Sequence, residues 1–349
     1  MNRLRLLLYP VSLVYSVIIS IRNILFDRGL LKSYNFEVPL ICIGNIKVGG
    51  TGKSPFTEYL IHLLQEKMQL AVLSRGYGRT TKGLIMATYP ANAAIIGDEP
   101  AQFKNKFPSV EVCVSEDRKK GIIRLQKSGA KLILLDDAFQ HRKVKANLTI
   151  VLIEASDLFK PFLMLPAGNY RESIQALIRA QMVVITKVDF QVTSDFQKMV
   201  RKKLNLHINQ QLYFSQINYE AILPVYNILE SPDLNTIEEV YLLTGIANTF
   251  PLLNFLHSKG IQVIHHQYPD HHIFTKQNIS KLVSGFDESK CQRKILLTTE
   301  KDCQRLKSKN FEMLLTSLPF YYLPIHIEII PTERKDFESR LFDYVNAAI

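Results

Sequence analysis

The stretch VPLICIGNIKVGGTGKSP, residues 38–55, decides the fold. Its first half, Val38 to Ile46, is an unbroken apolar run of strand length, the pattern of a strand buried on both faces of a parallel sheet. Its second half sets Gly49, Gly50, Thr51, Gly52, Lys53 and Ser54 between that strand and a helix predicted over about 54–67. Strand, glycine-rich turn and helix in that order form the context of a phosphate-binding loop. Glycines let backbone N–H groups converge on phosphate oxygens without Cβ obstruction, and the helix N-terminus adds positive potential. In such a loop Lys53 reaches the β- and γ-phosphates of a nucleotide and Ser54 offers its hydroxyl to Mg²⁺. Lys47 stands where the GxxxxGK[ST] pattern has its leading glycine.

Working outward, apolar strands at 70–76, 131–139, 148–155 and 182–189 alternate with helical segments. That alternation predicts a parallel sheet with right-handed crossovers. Residues 190–235 are more polar, with an extended piece near NYEAILPVYN, and a second α/β series follows. It has strands at 240–248, 261–269 and 294–302, a helix at 275–286, one last strand over 318–330, and an amphipathic helix to the end. The expected fold is α/β: a P-loop NTPase-like parallel sheet domain plus a second, smaller α/β domain, with an apolar helix in front. The expected bounds are 1–30 for that helix, 31–210 and 211–332 for the two domains, and 333–349 for the C-terminal helix. A chain of 349 residues suits two domains, at roughly 100–200 residues each.

An apolar share of 47% and a charged share of 21% exclude disorder, coiled coil and collagen-like repeats as whole-chain descriptions. The formal charge of +11 suits a polyanionic partner: nucleic acid, acidic lipid headgroups or phosphorylated substrates. Nucleic acid has no supporting motif, and no obligate protein partner is evident. Cys42, Cys113, Cys291 and Cys303 form no CxxC pair or zinc framework, which points to free thiols in a reducing compartment.

Residues 6–21 read LLLYPVSLVYSVIISI, without a charge. As a helix this run spans about 24 Å, short of a bilayer core of ~30 Å. Ser12, Ser16, Ser20, Asn23 and Asp27 recur at three- and four-residue spacing and form a narrow polar stripe on a helix that is otherwise apolar. Arg3 and Arg5 precede the run, and Arg22, Arg28 and Lys32 follow it. This pattern predicts a helix lying in the cytoplasmic membrane interface, held by apolar burial and acidic lipid.

Asp136 and Asp137 end the apolar strand LILL, where a Walker-B carboxylate holds Mg²⁺ beside a P-loop. Gly97-Asp98-Glu99-Pro100 is a turn with two acids, either of which could accept a hydroxyl proton in phosphoryl transfer or cap the following helix. Thr186-Lys187-Val188-Asp189 ends another strand and resembles the base-reading NKxD of GTPases, which keeps open a P-loop GTPase of metallochaperone type. A third reading is a non-catalytic nucleotide-binding membrane module. His265, His266, His271 and His272 cluster around Asp270 with a spacing that fits no common metal site, which leaves a proton-relaying loop histidine or plain surface histidines.

Taken together these pieces resemble the tetraacyldisaccharide 4′-kinase family. The likeness runs through GNIKVGGTGKSP (44–55), SRGYG (74–78), GDEP (97–100), DDAFQH (136–141), LPAGNYRE (165–172), TKVD (186–189), PDHH (269–272) and TTEKD (298–302). Ala138 stands where the family has glycine, and Asn169-Tyr170 where it has Pro-Leu. The resemblance implies an enzyme at the cytoplasmic face of the bacterial inner membrane, peripheral or held by a single N-terminal anchor. It would transfer phosphate from ATP, with Mg²⁺, to the 4′-hydroxyl of a tetraacylated, lipid-linked glucosamine disaccharide 1-phosphate in lipid A biosynthesis. It also implies Asp98 as general base with His271 as its partner. Asp136, Asp137, Gln140 and His141 would form the metal and nucleotide cluster, and Tyr77, Arg171 and Glu172 would be active-site or substrate contacts.

Overall fold

The apolar runs become the centre of one large sheet. In the computed structural model, which describes residues 3–226, 230–270, 272–307 and 309–347, the strands are β1 (Leu40–Asn45), β2 (Leu70–Ser74), β3 (Ile85–Met86), β4 (Glu111–Val114), β5 (Leu132–Asp136), β6 (Leu148–Glu154), β7 (Met182–Thr186) and β8 (Gln211–Tyr219). They continue with β9 (Leu223–Pro224), β10 (Glu239–Thr244), β11 (Gln262–Gln267), β12 (Lys294–Thr299), β13 (Phe320–Leu323) and β14 (Ile325–Ile329). A nine-stranded sheet has the order β14-β8-β7-β6-β1-β5-β2-β4-β3, and a five-stranded sheet has β11-β10-β12-β13-β9. Neighbours are parallel except β3/β4, β8/β14 and β9/β13.

β1 lies between β5 and β6. Its side chains alternate between two cores, as the period of a strand requires. Leu40 and Cys42 pack with Leu73, Ile133, Val151 and Phe214 on one face. Ile41 and Ile43 pack with Phe56, Leu60, Leu134 and Phe337 on the other. Both faces being covered is why the run Val38–Ile46 carries no polar alternation. Burial also pushes the Cys42 thiol up to about 12, so it behaves as a small apolar side chain.

The apolar stretch 318–330, expected as one strand, is two. β13 pairs with β12 in the small sheet, while β14 pairs antiparallel with β8 in the large one. The break is Pro324, which has no N–H to continue a ladder. Its carbonyl accepts from Glu220 N at 3.1 Å. The chain thus passes between the sheets twice, at 220–222 and at Pro324. The C-terminal helix (Pro331–Asn346) returns to the large sheet, burying Phe337, Leu341 and Val345.

At the other end, a 3₁₀ turn (Arg3–Leu8) leads into the N-terminal helix (Tyr9–Asp27). Pro10 sits in the first helical turn, where its missing N–H is not needed. Only Ser12 and Phe26 of this helix are buried, and Leu7, Val11, Val14, Val17, Ile18 and Ile21 are exposed. The segment Arg5–Asp27 is long and apolar enough to cross a membrane.

Candidate active site

Parallel strands deliver their carboxyl ends to one edge of the sheet, and ligands of open α/β folds bind at such an edge. Asn45 ends β1 there, and the loop after it turns into the helix Lys53–Leu64. Gly52, the residue before that helix, has φ +88°, a left-handed conformation strained for any residue with a Cβ. No side chain caps this helix, so its first-turn N–H groups remain available to an anion. The loop is held from behind. Asn45 Nδ2 donates to Thr51 Oγ1 at 2.8 Å, Thr186 Oγ1 donates to the Thr51 carbonyl at 2.8 Å, and Lys187 Nζ donates to the Gly50 carbonyl at 2.5 Å. The TKVD segment therefore braces the phosphate loop, with Lys187 at φ +59° and Asp189 exposed. Lys47, at the position of the pattern's first glycine, turns away to bind Asp157 at 2.7 and 2.8 Å.

Asp136 ends β5, the strand beside β1, and Asp137 follows it. Lys53 Nζ lies 3.7 Å from Asp137 Oδ1, and Arg171 Nη2 lies 3.0 Å from the same oxygen and 2.5 Å from Asn45 Oδ1. Burial pushes Asp137 up, but Lys53 and Arg171 outweigh it and hold this carboxyl below the usual range. Asp137 also has φ +46°, an uncommon conformation for a side-chain-bearing residue and one concentrated at functional sites. Asp136 is the opposite case. Burial, then the charges of Asp137 and Glu99, push it up to about 7, although Ser74 Oγ donates to it at 2.9 Å. Two adjacent carboxyls are thus split, one ionised and one near its midpoint at neutral pH.

Gln140 Nε2 donates to the Asn45 carbonyl at 2.8 Å, and its buried Oε1 has no partner among the described residues. His141 is pushed down to about 4 by burial and by Arg118 and Arg75, so it is neutral at pH 7. With Phe26, Asp27, Arg118, Arg142 and Arg179 it lines a cavity of about 420 Å³ at the foot of the N-terminal helix. Arg118 Nε and Nη2 are buried there without a partner among the described residues. Glu172 is buried and takes Asn23 Nδ2 at 3.1 Å and Arg179 Nη2 at 2.5 Å.

The loops carrying Tyr77 and Asp98 are locked by two glycines. A Cβ on Gly97 would lie 2.8 Å from the Tyr77 carbonyl and 3.0 Å from Gly76 C, and one on Gly76 would lie 2.6 Å from the Ile96 carbonyl. This close approach brings the backbone of the exposed Tyr77 against Gly97, the residue before the helix Asp98–Lys106. The two acids of the turn go to different partners. Arg305 Nε donates to Asp98 Oδ2 at 2.8 Å, and Lys301 Nζ lies 3.2 Å from Glu99. Both cations belong to the helix Glu300–Leu306 below the small sheet's β12.

His271 lies outside the described residues. On either side of it, Asp270 lies 3.7 Å from Lys301, and the His272 carbonyl accepts from Arg305 Nη1 at 3.5 Å. His272 stacks on Tyr268 and bonds Asn278 at 3.0 Å, and His265 bonds Thr244 at 2.8 Å. Among the described residues no group of His, Cys, Asp and Glu forms a metal cluster.

Sequence reasoning passed over Arg305, Asn45, Ser74 and Arg118. Arg305 carried a signal: it follows Asp302 of TTEKD by one helical turn, and its Nη1 lies 3.2 Å from that carboxylate. Asn45 is the last residue of the apolar strand and its one polar side chain, an equally readable mark.

The comparisons with known proteins agree over the full length. A family model described as tetraacyldisaccharide-1-P 4′-kinase matches residues 4–346. The tetraacyldisaccharide 4′-kinase of Bacteroides thetaiotaomicron is 42% identical over 353 aligned positions, covering 97% of this chain and 92% of the relative. The enzyme of that name from Flavobacterium psychrophilum is 42% identical, covering 100% and 99%. The crystal structure of LpxK from Aquifex aeolicus, an "apo" form in complex with ATP, superposes with a TM-score of 0.74 at 29% identity, covering 98% of this chain and 99% of that one.

Proposed function

Because the chain belongs to the tetraacyldisaccharide 4′-kinase family, we propose that it moves the γ-phosphoryl group of ATP to the 4′-hydroxyl of a lipid-linked disaccharide 1-phosphate in lipid A biosynthesis, with the following division of work. Lys53 and the amides of Gly49, Gly50, Thr51 and Gly52 hold the triphosphate, offsetting charge that grows on the transferring group. Arg171 and Lys53 keep Asp137 ionised, and Asn45, Thr186 and Lys187 keep the loop in shape. Ser54, Asp136 and Asp137 form the hard-oxygen set that would hold Mg²⁺, which when bound neutralises phosphate charge. Gln140, with a buried acceptor to spare, and neutral His141 complete the nucleotide side.

Asp98 takes the proton of the 4′-hydroxyl. The observation that carries this reading is the chain of contacts from the phosphate loop to that carboxylate. Asp137 is in reach of Lys53, Asp136 is bound to Ser74, and the loop after Ser74 is wedged against Gly97. His271, Tyr77 and Arg171 are assigned to the acceptor side. Glu172 acts more indirectly, tying Arg179 and Asn23 together beneath the N-terminal helix. The arginines of the cavity at that helix foot suit the phosphate that the acceptor already carries. The helix itself is assigned to the cytoplasmic leaflet of the inner membrane. Ser12 and Asn23 of its polar stripe bond the protein, Ser12 accepting from Ala167 N and Asn23 donating to Glu172, and Arg22 beside them donates to the Gln140 carbonyl, which leaves the apolar arc for lipid.

The test is incubation with labelled ATP and a lipid disaccharide 1-phosphate in detergent micelles. Asp98→Ala is expected to lower turnover about 10²–10⁴-fold, the usual worth of a general base. A variant with near-parental turnover would remove Asp98 from that role. The GTPase alternative is not favoured: TKVD spends its Thr and Lys on the loop backbone.

A further inference from the structure

The TTEKD segment and the buried acid of the phosphate-loop helix have no part in the chemistry above, yet they meet. Glu58 lies one turn beyond Ser54 on the helix Lys53–Leu64 and is buried. Its carboxylate takes Gln102 Nε2 at 2.6 Å and Lys106 Nζ at 2.8 Å. Both donors belong to the helix that Asp98 begins, four residues apart and so on one face. Lys106 Nζ also reaches Glu300 at 3.0 and 3.4 Å. Glu300 is the first residue of the helix that holds Asp98 through Arg305 and Glu99 through Lys301. Asn105 Nδ2 adds a bond to Gln304 at 3.1 Å.

The Asp98 helix is about 13 Å long at 1.5 Å per residue, and the helix Glu300–Leu306 holds it at both ends. One end carries the carboxylate assigned as base. The other carries an ammonium that links the small sheet to the helix bearing Lys53 and Ser54. Each contact is polar or ionic, the kind of surface that neighbouring domains use where they must stay in register without fusing cores. Two carboxylates share the one cation. Burial and the charge of Glu300 push Glu58 up to about 7 despite Lys106, and burial, with the charge of Glu220, pushes Glu300 up as well. His62, whose ring is pushed down by burial and by Lys106, and Tyr322 face the same cluster. A buried charge set with one surplus acid is weak glue, since desolvation cancels much of its attraction. Its residues are better explained by geometry than by stability.

We propose that Glu300, acting through Lys106 and Glu58, is a positioning residue that fixes the separation between the phosphate loop and Asp98. TTEKD is then the hand by which the small sheet grips the base helix. Thr299 caps the gripping helix through the Asp302 amide at 3.1 Å, Glu300 holds one end of the base helix, and Lys301 and Arg305 hold the other. The inference rests on Asp98 being the base, and the experiment separates the two.

Steady-state kinetics are measured on the full chain with ATP and the lipid acceptor for Glu300→Ala, Glu300→Gln, Asp98→Ala and the double variant Asp98→Ala/Glu300→Ala. Thermal unfolding first establishes that each is folded. If Glu300→Ala is not, Lys106→Met replaces it and is read the same way. Glu300→Ala is expected to lower kcat about 10–100-fold while KM for ATP stays within about 2-fold, because the loss is one of alignment and not of nucleotide contacts. Glu300→Gln, which still offers Lys106 an acceptor, recovers most of kcat. In the Asp98→Ala background, removing Glu300 costs nothing further, the non-additivity of residues acting as a unit. Parental kcat in Glu300→Ala, a glutamine variant no better than alanine, or additive losses in the double variant would each overturn the inference. An active Asp98→Ala would instead overturn the base assignment, whatever Glu300 does.

Discussion

Two helices of this chain, Tyr9–Asp27 and Lys53–Leu64, are both rich in apolar residues and end up with opposite arrangements. The helix after the phosphate loop buries Phe56, Tyr59, Leu60, Ile61 and Leu64, and its only buried acid is Glu58. The N-terminal helix bonds most of its polar residues to the protein, Ser20 staying exposed. Ser12, Tyr15, Arg22 and Asn23 bond Ala167, the Arg171 carbonyl, the Gln140 carbonyl and Glu172, while Val11, Val14, Val17, Ile18, Ile21 and Ile24 stay exposed. The difference teaches that an apolar share does not say where a helix goes. The partners of its few polar groups do. A helix whose polar groups are bonded to its own protein has its apolar arc left for the surroundings, and under the proposed function that arc faces lipid.

That comparison breaks most visibly at function. Lys53→Ala is expected to lower turnover about 10³-fold, as removal of a charge-stabilising donor does, and to leave sedimentation with anionic phospholipid vesicles at the parental level. If vesicle binding fell together with turnover, the two helices would not be doing separate work. The converse variant places acids on the outward arc. Val14→Asp/Ile18→Asp should weaken vesicle binding about 10²-fold, the scale of carrying a carboxylate into a bilayer, with little change in thermal unfolding because neither side chain is buried. Unaltered vesicle binding would take the arc out of contact with lipid.

Much of this arrangement is legible in the residues, and the limit has a physical cause. The phosphate loop could be read because its signals are local: a strand buried on both faces, then glycines, then a helix. The polar stripe of the N-terminal helix could be read because helical spacing is local too. Asp136 and Asp137 stood out by ending an apolar run. What escaped depends on partners far apart in sequence, such as Arg305 and Asp98, separated by 207 positions. β8 escaped because its polar positions resemble loop, and it earns its place only by pairing with β7 and β14. The break between β13 and β14 was different. Pro324 announced it, and an apolar run containing proline should be read as two pieces.

Glu58 sharpens the comparison from the buried side. Burial and Glu300 raise it to about 7, above the ordinary value near 4.5. Between those pH values the folded chain keeps a proton that the unfolded chain has released, so folding stability falls as pH rises through that window. Glu58→Gln has no such proton to lose. Its melting temperature is expected to exceed the parent's at pH 8 and to approach or fall below it at pH 5. A difference that does not vary with pH would mean that Glu58 is ionised throughout.

The smallest effect is expected at Ser12, the buried end of the polar stripe. Its hydroxyl donates to the Leu8 carbonyl at 3.3 Å and accepts from Ala167 N at 2.9 Å. Ser12→Ala removes only one oxygen, yet it leaves a buried N–H unanswered, which costs about 1–3 kcal/mol. The loss falls on the docking of the N-terminal helix against 166–172 and not on the sheet core, so global unfolding should move little. Hydrogen exchange at Ala167 is the sensitive measurement, and its protection should fall by about 10-fold. Vesicle binding should hold, because the apolar arc is untouched. If protection at Ala167 were unchanged, the serine would not be what turns this face of the helix inward. The inversion would then rest on Asn23 and Asp27, the stripe residues bonded to Glu172 and Arg142, and on the flanking Arg5 and Arg22, bonded to the Pro166 and Gln140 carbonyls.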